Sequence, residues 1–364
     1  MNRILGIVSA NFSGTDLGAL TEARPVASLP IGGRYRLVDF ALSNMVNSSI
    51  TTVGLITPIQ SRSLLDHVGV GNAWSLNRKK GGLFLLPGQA YGIRTAGSRF
   101  LLADLIQNRA IIDRSRAEVV AVCAANWVVS LDFQAACDFH IRTGADMTLI
   151  CQKGGSFSRD HAFYVDADEN GEVKDFSYEG ENRFLDAFLI NRDLLLSFFD
   201  WYSAVSHFDL IADILPESLS KMKVYAYEHT GYAGNVENTA DYTRVNMDFL
   251  SADVRGEMFR SDRPILTKIQ DSPPTRYAPG ARVSGSLIPS GCSIRGTVEN
   301  SVLFRNVEIE EGAVVKTCVL LSHTVVGAGA VLENVICDKC VTVRPGSRLV
   351  GGSAAVTVSK KQEV

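Results

Sequence analysis

The sequence predicts an α/β domain with a mostly parallel sheet, followed by a parallel β-helix. Short β-rich runs alternate with helical patterns up to about Leu250, a proline-rich stretch covers residues 251–282, and spaced glycines follow it. Continuous apolar strands that alternate with helices are typical of parallel sheets covered on both faces. We therefore expect an α/β domain at 1–250, a linker at 251–282 and a β-helix domain at 283–364.

The elements of the first segment follow from periodicity and from capping residues. A helix is predicted at Asp39–Asn47, with Asp39 near its N-terminal cap. A second, amphipathic helix is predicted at Phe133–Thr143, where Asp132 is a favourable cap. Buried strands are predicted at Ile4–Ser9, Thr52–Thr57, Val119–Cys123 and Asp146–Cys151.

Prolines and glycines predict the linker and the β-helix. The linker prolines are Pro264, Pro273, Pro274 and Pro279. Beyond them, glycines recur at spacings of 21, 17 and 17 residues, at Gly291, Gly312, Gly329 and Gly346. Each precedes a small residue and then, two positions further on, an aliphatic one: Ile294, Val315, Leu332 or Leu349. One coil per ~17–18 residues indicates a β-helix, which commonly self-associates, and an antiparallel sandwich is the alternative.

Composition excludes several classes of protein. The 364 residues carry a net charge of −3 with a pI of about 6.1, which gives no reason to expect a nucleic-acid or membrane partner. The apolar run Ile4–Val8 is too short for a signal peptide, and no stretch reaches the roughly 20 apolar residues that span a bilayer. Seven cysteines are scattered through apolar sequence, so we expect reduced thiols and a cytoplasmic protein.

The first loop raises a question about charge. The stretch GIVSANFSGTDLGALTEARP (Gly6–Pro25) places a strand before a Gly/Ser-rich turn, as α/β proteins do where they bind phosphate. Between Ser9 and Leu20, however, the only charged residue is Asp16. The loop therefore has the backbone of a phosphate site and the wrong charge for one.

Three stretches resemble the glucose-1-phosphate adenylyltransferases, the ADP-glucose pyrophosphorylases of glycogen synthesis. They are LPIGGRYRLVDFALSNMVNSSITTVGLIT (Leu29–Thr57), GYAGNVENTADYTRVNMDFL (Gly231–Leu250) and SPPTRYAPGARVSGSLIPSGCSIRGTVENSVLF (Ser272–Phe304). The resemblance covers nearly the whole chain. It implies a Rossmann-like nucleotidyltransferase domain, a left-handed β-helix and a tetramer.

The resemblance also implies phosphate and metal ligands that this chain lacks. The family loop G-G-x-G-T-R-L has an Arg where Asp16 stands, and R-A-K-P has a Lys where Val26 stands. A like-charge contact at ~4 Å costs on the order of 4 kcal/mol at an effective dielectric of about 20. The two Asp residues that hold Mg²⁺ in the family, in G-D-H and R-D-V-G-T, correspond to Asn126 and Asn235. Because Mg²⁺ relies on carboxylates, we expect weak or absent binding of Mg²⁺ and ATP.

The sugar side of the family site is altered as well. FSYEGENR (Phe176–Arg183) has no counterpart of the E-K-P lysine, and the S-M-G turn has become Phe184-Leu185-Asp186. In DLIAD, which matches the family's D-F-G-K-D, the Lys is replaced by Ala212. These departures predict a GlgD-type subunit without catalytic residues, which regulates a catalytic GlgC-type partner in a homo- or heterotetramer. Two alternatives remain: an active nucleotidyltransferase with unrecognised ligands, and a β-helix acyltransferase that uses His323.

An effector site is a further implication of the resemblance. Arg24 and Arg36 match family positions that hold activators such as fructose 1,6-bisphosphate, and Arg34 lies close by in the sequence. Three arginines could hold a sugar phosphate by bidentate contacts, and solvation or salt bridging is the alternative. The sequence ends at VSKKQEV, so we do not expect the longer C-terminal region that contributes to this site in some relatives.

Two remaining motifs are weaker. Cys337 and Cys340 have C-x-x-C spacing, but no second pair or nearby His completes a zinc set, so no metal site is expected. Tyr91–Arg99 falls where the family has a Gly-Thr contact with the nucleobase, and a residual nucleotide site is possible there.

Overall fold

The computed structural model describes residues 4–12, 16–88, 98–155, 157, 161–202 and 208–359. The first part is an α/β domain whose sheet has an apolar core on each face. In the first strand, Leu5 and Ile7 pack into one core, whereas Ile4 and Val8 pack into the other. Because successive side chains of a strand point to opposite faces, a continuous apolar run is what a sheet covered on both faces requires.

The strands of this domain include short ribbons as well as the main sheet. They are β1 (Ile4–Ser9), β2 (Pro30–Ile31), β3 (Tyr35–Arg36), β4 (Thr52–Thr57), β5 (Gly82–Pro87), β6 (Val119–Ala124), β7 (Trp127–Val129), β8 (Met147–Lys153), β9 (Tyr164–Ala167), β10 (Val173–Ser177), β11 (Asn182–Asn191), β12 (Val224–Glu228) and β13 (Ala233–Asn235). The main sheet has the order β10-β9-β11-β6-β1-β4-β5, with β8 between β11 and β12. Strands β6, β1, β4 and β5 are parallel, and β11 runs antiparallel to β6 and β8.

The helices of the domain lie between these strands. They are α1 (Leu37–Asn47), α2 (Arg62–Val68), α3 (Leu102–Gln107), α4 (Arg109–Asp113), α5 (Phe133–Thr143), α6 (Arg192–Trp201), α7 (Leu215–Ser218), α8 (Thr239–Asp248) and α9 (Ala252–Met258). Short 3₁₀ turns cover Gly18–Thr21, Val26–Ser28, Asn72–Trp74 and Leu219–Lys221, and a π-helical turn covers Leu210–Ile214.

The predicted elements are present with small shifts at their ends. The bounds of β1, β4 and α5 are those predicted, and the Asp132 carboxylate caps α5 by accepting from the amides of Gln134 and Ala135 at 3.0 and 3.1 Å. Helix α1 begins two residues before Asp39. The Asp39 carboxylate instead accepts from the Arg36 amide at 2.9 Å, which is the half of a capping box that an arginine at the N-cap allows, since its side chain cannot accept a hydrogen bond.

The second part is a left-handed β-helix with three parallel sheets. Its strands are β14 (Arg276–Tyr277), β15 (Arg282–Ser284), β16 (Ser293–Ile294), β17 (Thr297–Glu299), β18 (Val302–Leu303), β19 (Glu308–Ile309), β20 (Val314–Lys316), β21 (Val319–Leu320), β22 (Val325–Val326), β23 (Val331–Glu333), β24 (Val335–Cys337), β25 (Thr342–Val343), β26 (Arg348–Val350) and β27 (Val356–Val358). The sheets are β14-β16-β19-β22-β25, β15-β17-β20-β23-β26 and β18-β21-β24-β27.

The four glycines of the predicted repeat do not form one series. Gly312, Gly329 and Gly346 each lie two residues before a strand of the second sheet. Gly291 precedes β16 of the first sheet, and its structural equivalents are Asn306, His323 and Cys340, at spacings of 15, 17 and 17 residues. All these corner residues have a positive φ, between 59° and 86°. The spacing of 21 residues thus joins two different corners of the coil.

The predicted linker is shorter than 251–282 and partly helical. Helix α9 occupies Ala252–Met258, and β14 at Arg276–Tyr277 already pairs in parallel with β16. The β-helix therefore begins about seven residues before the predicted boundary at 283. A strand of two residues is too short to show a periodic pattern, and Pro279 lies in the turn between β14 and β15. The first coil was therefore assigned to the proline-rich linker.

The two domains share one apolar core. The side of the β-helix formed by β18, β21 and β24 contributes Val302, Val319 and Ile336 to the same buried cluster as Leu5 and Ile7 of β1. At this seam Gly33 has a φ of +74°, and a Cβ there would overlap Leu287 and lie 2.9 Å from the carbonyl oxygen of Leu303. The second glycine of the PIGGRYR motif therefore allows the β2–β3 hairpin to touch the β-helix.

Candidate functional site

The structure brings the two asparagines at the expected metal positions together. Asn126 follows β6, and Asn235 ends β13, where it pairs with Trp127 of β7. The amide of Val236 donates to the carbonyl oxygen of Asn126 at 3.0 Å. Both asparagine side chains are fully buried. The topology of a nucleotidyl-transfer site is thus kept, with amides in place of carboxylates.

A buried ion pair lies beside these asparagines. Glu237 accepts a hydrogen bond from the Arg99 guanidinium at one carboxylate oxygen and from Asn126 Nδ2, at 2.8 Å, at the other. Arg99 is also held by the ring of Phe12, whose centroid lies 4.8 Å from the guanidinium carbon. Residues 138 positions apart therefore form one network across the cleft.

The charge of this network is fixed by its surroundings. Burial lowers the pKa of Arg99, but the nearby carboxylates of Glu237, Asp186 and Asp209 outweigh it, so the pKa lies above its ordinary value. The guanidinium thus supplies a fixed positive charge beside Asn126. Asp186 also accepts a hydrogen bond from the indole of Trp127 at 2.8 Å.

These residues do not fit a Mg²⁺ ion. The carboxylate nearest to Asn126 is that of Glu237, and both of its oxygens are engaged by Arg99 and Asn126. Across the part of the chain that the structure describes, no group of three or more His, Cys, Asp or Glu side chains could hold a metal ion. A divalent cation placed here would lie against a guanidinium and two amides, whereas Mg²⁺ is held by carboxylates.

The two altered phosphate positions have different environments. Asp16 is exposed, and its carbonyl oxygen accepts hydrogen bonds from the amide and hydroxyl of Thr239 at the start of α8. Its carboxylate makes no ion pair with any described residue. Val26 is buried in the main core as the first residue of a 3₁₀ turn, so a lysine there would have to leave the core to reach a ligand. Residues 13–15 of the loop lie outside the described residues.

The altered sugar positions line a cavity of about 150 Å³. Ala212 is on the π-helical turn at its rim, and its amide donates to the Asp209 carboxylate at 3.1 Å. The lining is acidic and aromatic, with one cation already paired to Glu237: Arg99, Phe163, Tyr178, Phe184, Asp186, Asp209 and Asp213. Since no free cation faces this cavity from the described lining residues, it offers little attraction to a sugar phosphate.

The three candidate effector arginines are not all brought together. Arg24 is buried and pairs with the Asp338 carboxylate of the β-helix at 2.6 Å. Arg36 donates to the carbonyl oxygen of Ser63 at 2.6 Å, and its pKa is lowered by burial and also by the positive charge of Arg24. Arg34 is exposed, and its charge adds to burial in lowering the pKa of Arg305, whereas it is not among the charges that lower the pKa of Arg36 or Lys339.

A lysine missed by the sequence analysis joins this cluster. Burial first, and then the positive charges of Arg36 and Arg24, together lower the pKa of Lys339 to about 8. Lys339 lies between Cys337 and Cys340, and the C-x-x-C pattern was considered only as a zinc motif. The seam between the domains thus carries Arg24, Arg36 and Lys339, with Asp338 paired to Arg24 and Asp39 beside Arg36.

Three other sequence expectations concern residues elsewhere. Of the suggested nucleobase contact at Tyr91–Arg99, positions 91–97 lie outside the described residues, and Arg99 is in the buried network. His323 is an exposed corner residue with a φ of 63°. Among the described helices, none combines the length and apolar character needed to cross a membrane.

Comparison with known proteins agrees with this architecture. A nucleotidyl transferase family model matches residues 6–180, and a GlmU-like C-terminal hexapeptide model matches residues 275–356. The glycogen biosynthesis protein GlgD of Geobacillus stearothermophilus is 35% identical over 86% of this chain and 83% of its own length. The chain belongs to the family of GlgD proteins and glucose-1-phosphate adenylyltransferases.

Other members of the family align over a similar extent. GlgD of Bacillus subtilis is 29% identical over 99% of this chain and 96% of its own length. A glucose-1-phosphate adenylyltransferase of Thermotoga neapolitana is 30% identical over 87% of this chain and 77% of its own length. These relatives therefore align with both domains of the chain.

Proposed function

We propose that this chain is a glycogen-biosynthesis subunit of a glucose-1-phosphate adenylyltransferase that does not itself transfer the adenylyl group. Its role is to regulate a catalytic partner chain, which converts ATP and glucose 1-phosphate to ADP-glucose and pyrophosphate. A homo- or heterotetramer is the expected assembly. The family membership supports the pathway, and the altered cleft supports the lack of catalysis.

One observation carries the proposal: the Arg99–Glu237–Asn126 network at the expected metal site. Transfer of an adenylyl group requires cations on the phosphate oxygens and carboxylates that hold Mg²⁺ between them. Here the buried carboxylate of Glu237 is bonded to an arginine and an amide of the same chain. Asp16 and Val26 supply no positive charge at the phosphate positions.

The test compares the purified chain, a purified catalytic family member, and the two after co-expression. Pyrophosphate release from ATP and glucose 1-phosphate is the readout. We expect no release above the blank for this chain alone, and a changed rate or effector response for the co-purified pair. Robust turnover by the isolated chain would contradict the proposal.

A control variant separates intrinsic turnover from a contaminating enzyme. Asn235→Ala changes the buried end of β13 and leaves a contaminant untouched. If the isolated chain shows activity that this variant lowers, the chain is a weakly active nucleotidyltransferase, which is the second candidate function. Mg²⁺-dependent ATP binding by calorimetry would support the same conclusion.

We further propose that the seam cluster of Arg24, Arg36 and Lys339 is the effector site for a sugar phosphate. The support is the proximity of three positive charges: besides burial, the charge of Arg24 lowers the pKa of Arg36, and both arginines lower the pKa of Lys339. In the co-purified pair, Arg36→Met or Lys339→Met should raise the half-maximal concentration of fructose 1,6-bisphosphate about tenfold, the effect of losing one charge-assisted contact. Arg34→Met is the matched control, since Arg34 lies outside the cluster. An equal rise in the half-maximal concentration for Arg34→Met would contradict the assignment.

A further inference from the structure

A row of side chains crosses four neighbouring strands at one end of the main sheet. Gln152 of β8 is the register partner of Arg183 of β11, and Arg183 is in turn the partner of Tyr164 of β9. On the other side of β8, the amide of His229, just after β12, donates to the carbonyl oxygen of Cys151 at 2.7 Å. Register partners in a sheet present their side chains on the same face. The row is therefore His229, Gln152, Arg183 and Tyr164.

Arg183 is a fully buried cation with unused donors. The side chain is 1% exposed, and its guanidinium carbon lies 6.0 Å from the ring centroid of Trp127 and 5.6 Å from that of Tyr164. Its Nε and Nη1 atoms are enclosed and have no hydrogen-bond partner among the described residues. A guanidinium keeps its charge at every physiological pH, so an enclosed one without an acceptor is strongly unfavourable. Ring faces alone do not supply the missing acceptors.

The two neighbours of Arg183 in the row also have an unused polar atom. Gln152 donates its Nε2 to the carbonyl oxygen of Gly231 at 2.8 Å, while its Oε1 is enclosed without a donor from the described residues. His229 Nε2 is enclosed in the same way. Burial lowers the pKa of His229, so the neutral ring, whose Nε2 can donate or accept, prevails at pH 7. Both residues are partly exposed, whereas Arg183 is not.

This row lies on the face of β11 opposite the altered sugar cavity. Phe184 lines that cavity and packs into the first core, whereas Leu185 packs into the second. Arg183 precedes Phe184 and contacts Trp127, which also belongs to the second core. A ligand at Arg183 would therefore approach from the Trp127 side of β11, where the Trp127 indole also contacts Asp186 of the cavity lining.

We propose that Arg183, Gln152 and His229 bind a small oxyanion that also carries a hydroxyl donor, of the class of hydrogen phosphate. The guanidinium N–H groups donate to the anionic oxygens, and the ligand O–H donates to Gln152 Oε1. His229 Nε2 contacts a further oxygen at the mouth of the site. A simple carboxylate would satisfy Arg183 and leave Gln152 without a donor, so the hydroxyl is part of the recognition. The site does not depend on whether the chain transfers an adenylyl group.

The test measures thermal unfolding of the full chain in sodium phosphate against sodium chloride of equal ionic strength. Lys339→Met is used as the background, because it weakens anion binding at the domain seam. In this background phosphate should raise the Tm. Adding Arg183→Met should raise the Tm without phosphate, because an unpaired buried cation is removed, and should weaken phosphate binding at least about tenfold. Adding Arg116→Met, at an exposed arginine, should leave the response unchanged.

Three results would overturn the proposal. The first is a failure of the expected Tm response to phosphate. Either phosphate does not raise the Tm of the Lys339→Met background, or it raises the Tm equally after Arg183→Met is added. The second is a lower Tm of Arg183→Met without phosphate, because the arginine would then be held by groups of the protein itself. The third is an equal response to acetate, which has no hydroxyl donor for Gln152. Gln152→Leu should weaken phosphate binding without lowering the response to acetate.

Discussion

Lys339 provides a sharp test of the effector cluster, because binding of an anion there should take up protons. Burial and the charges of Arg36 and Arg24 lower its pKa to about 8, from an ordinary value of 10.5. At pH 8 the free protein therefore holds about half a proton on this amine. A bound phosphate adds negative charge beside Lys339, which raises the Lys339 pKa towards its ordinary value. The amine then becomes fully protonated.

The expected uptake is about 0.5 proton per bound sugar phosphate at pH 8. Isothermal titration calorimetry in two buffers of different ionisation enthalpy measures this number directly. The measurement is made at pH 8 because nearer pH 6 the phosphate, whose own second pKa is about 6, would release protons on binding. Lys339→Met should abolish the difference between the buffers and weaken binding. Arg34→Met is the control and should keep the uptake.

The sign of the effect is fixed by the direction of the shift. A lysine whose folded pKa is lowered binds fewer protons in the folded chain than in the unfolded chain, so the free protein should gain stability as the pH rises from about 8 towards 10.5. Proton release on binding, or uptake that persists in Lys339→Met, would refute this placement of the ligand.

Three further predictions concern stability, measured by urea unfolding. Asp338→Asn leaves Arg24 buried without its carboxylate and should lower the free energy of unfolding by about 3 kcal/mol. Gly33→Ala places a Cβ 2.9 Å from a carbonyl oxygen at a φ of +74° and should cost about 2–4 kcal/mol. Asn126→Asp replaces the 2.8 Å hydrogen bond to Glu237 by two facing carboxylates and should cost about 1–3 kcal/mol at pH 7. Because the pair would then retain a proton in the folded state, this last loss should shrink as the pH falls.

Matched variants distinguish these causes from general disruption. Arg24→Met combined with Asp338→Leu should recover most of the stability lost in Asp338→Asn, since neither charge remains buried. Gly144→Ala meets no atom within 4 Å and has a φ of +61°, so it should cost only about 1 kcal/mol. A Gly33→Ala variant as stable as Gly144→Ala would mean that the hairpin does not press on the β-helix.

The sequence was most informative where one strand is buried on both faces. The runs Ile4–Ser9 and Thr52–Thr57 are predicted to the residue, because a continuous apolar run with polar ends has few other interpretations. The β-helix was predicted in kind but not in detail. Corner residues such as Asn306 and His323 adopt the left-handed conformation without being glycine, so a search for glycines joins the wrong corners.

The site was predicted position by position, but not as a network. Family motifs identified Asn126 and Asn235, and β7 and β13 bring them together. Neither Glu237 nor Arg99 was recognised, because an ion pair between residues 138 apart has no local signature. The glutamate in GNVEN, at a family glycine, was the available signal. Lys339 was missed because only the fold brings it near Arg24 and Arg36.

The apolar cluster shared by β1 and the coil stack has a consequence for how the molecule comes apart. Although the coils also enclose an apolar cluster of their own, this shared cluster joins the two halves, so heating should give a single calorimetric peak for the whole chain. Exchange of the C-terminal coils with those of another protein would require the residues facing Val302, Val319 and Ile336 to be exchanged with them. The two halves are therefore constrained to change together over evolutionary time.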